Sequence, residues 1–137
     1  MITIKTEQIL KEKFVEMTFD PENKIVEAKW IGFLKEDEVR KACKVMISFI
    51  GKNKITKHLS DQTQMKVLSK EVQNYLVGEC FPELNKLGLK KVAVLVSDDV
   101  FAQATVNNVN TKSQMGGITF GTFNTKKQSI DFLNAKN

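Results

Sequence analysis

Two stretches near the start of the chain alternate strictly between apolar and polar side chains. In Phe14–Phe19, Val15, Met17 and Phe19 share one face, with Glu16 and Thr18 on the other. In Ile25–Ile31, Val26, Ala28 and Trp30 alternate with Glu27 and Lys29. A period of two is that of a half-buried strand. Asp20-Pro21-Glu22-Asn23 has the residue types of a reverse turn and joins the two strands into a hairpin. Residues 1–12 read as a short strand or a lead-in. The period then lengthens: Val39, Ala42, Cys43, Met46, Ile47 and Ile50 recur at three- and four-residue steps. They predict a helix over Lys35–Ile50, with Glu36, Asp37 and Glu38 at the end favoured by its dipole and Gly51 as its stop.

A third strand is predicted over Ile55–Ser60, and it is unusually polar. Ile55 and Leu59 share a face, while Thr56, His58 and Ser60 occupy the other. Together with Glu27 and Lys29, these predict that part of one sheet face is left bare, open to water or to a partner chain. The strand is expected to end at Asp61, with a loop carrying Thr63 behind it. Ser69 then caps a helix with Val72, Tyr75, Leu76 and Cys80 as its apolar stripe. Pro82 predicts a break near Phe81 and a short helix over Pro82–Leu87, stopped by Gly88.

Lys91–Val96 is apolar on both faces, the mark of a central parallel strand. Ser97-Asp98-Asp99 caps a helix carrying Phe101, Ala104 and Val109, and Asn110–Gly117 reads as a polar loop. Ile118–Phe123 is the last strand. Thr125 and Gln128 have the spacing of a capping box, opening a helix with Ile130 and Leu133 inward. The order β-β-α-β-α-β-α-β-α gives an α/β fold. Its sheet is expected to be mixed, five-stranded and mostly parallel, with an antiparallel first strand, in a single domain over residues 1–137.

Composition narrows the chemistry. A chain of 137 residues, 42% hydrophobic and 27% charged, can bury a core without metal or disulfide support. Its longest apolar run, Val92–Val96, is far too short to span a bilayer, and no signal segment is evident in MITIKTEQILKEKF, so a cytoplasmic protein is expected. Cys43 and Cys80 fall on apolar helix faces and are expected to pack as free thiols. The net charge of +5 invites a nucleic-acid reading, but it is carried by lysine, with Arg40 the one arginine. Arginine is the usual bidentate reader of guanine and phosphate, so nucleic acid is not the expected partner. His58 is the one histidine, which excludes the usual zinc spacings. No metal and no cofactor are expected.

Four landmarks in order carry a family resemblance: AKWIGF at Ala28–Phe33, the strand ending in Asp61, FPELNKLGLKKVAVLV at Phe81–Val96, and FNTKKQSIDFL at Phe123–Leu133. With them the chain, from about Phe14 onward, resembles the STAS-like proteins of bacteria, in the branch grouped with the sporulation anti-sigma-factor antagonists. More distantly it is similar to the lipid-binding CRAL-TRIO domains. The resemblance implies a regulatory or ligand-binding module in place of a catalyst. In the antagonists, the loop after the third strand carries an Asp followed by a phosphorylatable Ser at a helix start, where phosphate switches partner binding. Asp61 matches that Asp; Gln62 stands at the serine position, which leaves Thr63 as the nearest hydroxyl and the candidate phosphoacceptor.

Three functions remain open on these residues. The first is a non-catalytic module that binds a protein partner or small molecule through Asp61, Gln62, Thr63 and Asp98. The second is a carrier of a small apolar ligand or lipid, with Trp30, Met46, Phe49 and Phe101 as pocket liners. The third is an enzyme using Asp61 with Asp98 or His58. A homodimer could form through the face bearing Glu27, Lys29, Thr56 and His58, or through an exposed strand edge. Lys126 and Lys127, at the cation-disfavouring end of their helix, mark a candidate anion site.

Overall fold

The chain builds one mixed seven-stranded sheet, and the computed structural model describes residues 6–66, 68–100 and 112–135 of it. The strands are β1 (Glu7–Glu12), β2 (Val15–Asp20), β3 (Ile25–Gly32), β4 (Lys57–Met65), β5 (Lys91–Leu95), β6 (Lys112–Met115) and β7 (Ile118–Phe123). Their spatial order is β1-β2-β3-β4-β5-β7-β6. β3, β4, β5 and β7 run parallel to one another, while β1-β2-β3 and β6-β7 pair antiparallel. The expected α/β class and parallel centre are present. The strand count is seven where five were expected, because β1 and β6 add an edge on each side. β6 lies in the stretch read as polar loop and turns into β7 through Gly116, at φ 61°. The helix expected to carry Phe101, Ala104 and Val109 lies outside the described residues.

Alternation along each strand divides the side chains between two faces. Val15 and Met17 of β2, Val26, Ala28 and Trp30 of β3, and Val92 of β5 face α1 (Glu36–Asn53), α2 (Lys70–Tyr75) and α3 (Phe81–Lys86), and with them form the larger core. Val39, Ala42, Cys43, Met46 and Ile50 are the buried stripe of α1, the residues whose spacing predicts it. Gly51, read as its stop, lies inside it. The side chain of Leu87 packs 3.2 Å from where a Cβ would sit, and the turn out of the helix is made instead by Lys54 in the left-handed region at φ 54°. The helix expected to break at Phe81 runs on. A π-helical turn over Leu76–Cys80 joins α2 to α3, with the Phe81 N–H donating to the carbonyl of Leu76, and Pro82 follows in the first turn of α3.

The other face carries a smaller core of Ile25, Leu59, Ala93 and Leu95, closed by α4 (Lys126–Asn134) through Leu133, Ile130 and Phe132. Thr125 caps α4, accepting from the Gln128 N–H at 3.2 Å. α4 packs over β4, β5 and β7 and reaches β3 through Leu133 beside Ile25. Here Lys126 meets Glu27 at 3.1 Å and Lys127 meets Asp131 at 3.0 Å, so the lysines read as an anion site already face carboxylates. Among the described residues no helix is long and apolar enough to cross a membrane.

Candidate functional site

β4 lies in the middle of the sheet, paired with β3 on one side and β5 on the other. Register places His58 between Val26 and Val92, and Ser60 between Ala28 and Val94. Both neighbours of each residue are apolar and face α1–α3, so His58 and Ser60 face them too, and Gln62 follows at the same period. This corrects the expectation of a bare polar face. His58 is only 3% exposed and Ser60 7%, and Thr56 lies before the strand. The dimer face expected from Glu27, Lys29, Thr56 and His58 is therefore not one surface, because His58 lies under the helices.

The polar strip borders a cavity of about 60 Å³. Trp30 of β3, Val92 and Val94 of β5, and Phe120 of β7 complete its sheet side; Val39, Cys43 and Met46 of α1, Val72 of α2, Leu76 of the π-helical turn and Phe81 of α3 form its roof. Leu34, Met65 and Leu68 close one end. A single water needs roughly 10–15 Å³ measured in this way, so the chamber is several waters large. π-helical turns recur at functional sites, where the extra residue widens the helix and redirects its side chains. Here that turn supplies Leu76 to the wall.

Each polar member has a defined partner. His58 Nδ1 lies 2.7 Å from the carbonyl oxygen of Val26. Because that oxygen can only accept, Nδ1 carries the proton and Nε2 is left as a bare acceptor. Burial holds the imidazole down at about 4, against its bond to Val26, so it is neutral at neutral pH. Gln62 Nε2 donates to Ser60 Oγ at 3.1 Å. Cys43 and Cys80 are both buried free thiols, and the Cys80 thiol is pushed strongly up by its hydrogen bond with Cys43 and by burial. They pack as expected.

The residues singled out from sequence are divided by this geometry. β4 does not end at Asp61 but continues to Met65, still paired with β3 through a bulge after Lys29. Asp61 therefore points to the face opposite His58 and Gln62. Its Oδ1 accepts from the Thr63 N–H at 3.0 Å and from the Thr63 hydroxyl at 2.7 Å. Asp98, beyond the end of β5, accepts instead from Asn124 Nδ2 at 3.0 Å. Ser69 is the cap of α2, accepting from the Val72 N–H at 3.2 Å. Asp61 and His58 stand on opposite faces of one strand, so of the two catalytic pairings considered from sequence, Asp61 with Asp98 or with His58, the second is not assembled. Of the proposed pocket liners, Trp30 and Met46 line the chamber. Phe49 packs on Phe19 at 5.2 Å, and Phe101 lies outside the described residues. His58 and Ser60 were legible as odd polar residues. Their apolar neighbours in VEAKW and KVAVL were the signal that the strip faces inward.

No protein-family model matches the chain, and none of the curated proteins is similar to it. Among solved structures it is similar to the anti-sigma factor antagonist SpoIIAA in its unphosphorylated form, at 10% identity and a TM-score of 0.56, over 96% of this chain and 100% of that one. It is also similar to an uncharacterized DUF3478-family protein with a SpoIIAA-like fold from Shewanella loihica PV-4, at 18% identity and a TM-score of 0.52, over 97% and 98% of the two chains. These likenesses show the fold alone, which is SpoIIAA-like, as the landmarks implied.

Proposed function

We propose that the protein is a non-catalytic regulatory module of the cytoplasm that holds a small, largely apolar molecule in the chamber beneath α1–α3. The observation that carries this reading is the strip His58–Ser60–Gln62 on the buried face of the central strand. Packing alone would favour apolar residues there, since each buried polar group costs free energy unless it is satisfied. A partly polar floor under an otherwise apolar chamber is the composition of a ligand site. The likeness to a protein described as an anti-sigma factor antagonist supports a protein partner as the readout. The partner face is assigned to the other side of the same strand and its edge, around Asp61, Thr63 and Asp98. Thr63 is the candidate phosphoacceptor: a phosphate there would replace the hydroxyl that donates to Asp61 with a dianion beside a carboxylate, and would open that turn.

Native mass spectrometry of protein purified gently from its own host tests the chamber reading. The expected spectrum carries a small organic mass that is lost on denaturation. Val94→Phe, which fills the chamber from β5, is expected to remove that mass while leaving the fold intact by circular dichroism. A chain that is empty as isolated, and whose thermal unfolding is insensitive to added small apolar molecules, would end the reading.

A further inference from the structure

The chamber also specifies the chemistry of its occupant, an inference that rests on the binding function just proposed. Among the described residues its lining contains no Asp, Glu, Lys or Arg. A charged ligand would leave water without meeting a counter-charge, which burial penalises heavily. An entirely apolar ligand would leave the strip unused. His58 Nδ1 is committed to Val26, and Nε2 has no partner among the described residues. Among the described residues no sealed side-chain nitrogen or oxygen lacks a partner, so Nε2 is not sealed, and His58 is one of the residues that line the chamber.

Ser60 follows two residues later on the same face, roughly 6.6 Å along the strand. Its oxygen accepts from Gln62, which leaves its own O–H to donate. The strip therefore offers one acceptor and one donor on the same face of the strand. The group that donates one bond and accepts the other is a hydroxyl. We infer that the chamber selects a small uncharged alcohol, its hydroxyl bridging His58 Nε2 and Ser60 Oγ and its hydrocarbon lying against Trp30, Met46, Val72, Leu76 and Phe120. At about 60 Å³ it suits a molecule of about five or six heavy atoms.

Titration followed by backbone amide chemical shifts at neutral pH tests this with four probes: n-pentanol, its isomer butyl methyl ether, pentylammonium and pentanoate. The alcohol is expected to shift chamber residues and to bind about tenfold to a hundredfold more tightly than the ether, which accepts but cannot donate. Both ions are expected to bind more weakly still. His58→Leu should bring the alcohol down to the ether's affinity and leave the ether unchanged. Ser60→Ala, which removes the donor that both molecules accept from, should weaken alcohol and ether alike while the alcohol stays the tighter through His58, and serves if the His58 variant does not fold. Equal chamber binding of alcohol and ether, or an ion binding as tightly as the alcohol, overturns the selectivity and leaves the chamber reading intact. No chamber shifts with any probe overturns both.

Discussion

Acidification is expected to remove about 3 kcal/mol of folding stability through His58 alone as pH falls from 6.5 to about 4. In the unfolded chain the imidazole takes a proton near 6.5; in the folded chain burial defers this to about 4. Between these values the unfolded state binds the extra proton, so stability is greatest above 6.5 and falls as the pH is lowered towards 4. Below that the folded state protonates too, and this contribution levels off. Among the described residues lining the chamber, the Cys43 thiol is the other titratable side chain. Carboxylates elsewhere titrate over the same interval, so the test is a difference. Urea unfolding of wild type and His58→Gln, each measured across the interval, should diverge by about 3 kcal/mol in pH dependence, because the amide cannot titrate and still offers Val26 a donor. Parallel pH profiles for the two proteins would show that His58 is not held neutral by burial.

Replacing Lys91 by methionine should cost about 3 kcal/mol and lower the melting temperature by about 10 °C. Lys91 is buried on the α4 face of β5, and its ammonium donates to the carbonyls of Phe132 at 3.0 Å and Ala135 at 2.6 Å. These belong to the last turn of α4 and the residue after it, where a helix presents unpaired carbonyls and favours positive charge. The ammonium also lies 5.2 Å from the centre of the Phe132 ring. Methionine keeps the stem and removes every donor, which takes the ammonium from both carbonyls, leaves that of Phe132 only its bond from the Ala135 N–H, and loosens the helix that covers Leu59, Ala93 and Leu95. Thermal unfolding of Lys91→Met checks it. A melting temperature equal to wild type would mean that α4 is held by its apolar contacts alone.

The parts of the fold that a sequence reveals are those where burial imposes a period. β2, β3 and α1 sit half in the core, so their patterns were legible, and β5, apolar on both faces, declared itself central. β1 and β6 are edges. β1 has a register shift between Gln8 and Leu10 that breaks its alternation, and the pairing of β6 follows from the Gly116-Gly117 turn, not from hydrophobicity. The polarity of β4 was visible, but its direction was not. A polar row on a strand normally faces water, and only the identity of its neighbours turns this one inward. Asp61 looked like a strand end for the same reason, although backbone pairing carries the strand four residues further. Pro82 marked the right place in the second helix, but a π-helical turn ahead of it, with its bond from Phe81 to Leu76, kept the helix running.

The pairing order of the sheet has a kinetic consequence. The β1-β2-β3 meander joins neighbours in sequence, such as Asp20 with Ile25, whereas the parallel pairs join Ile25 to Lys57 across α1 and Lys91 to Thr119 over a long stretch of chain. Local contacts close at small entropic cost and distant ones wait. The chamber needs β3, β4, β5, β7 and all of α1–α3, so it is complete only after the slowest pairings have formed. Its occupant therefore has nothing to hold in the transition state for folding. Stopped-flow measurements with and without n-pentanol are expected to show an unchanged refolding rate and a slower unfolding rate, and a faster refolding rate would contradict late closure. A bound molecule would thus prolong the lifetime of the folded protein without hastening its birth.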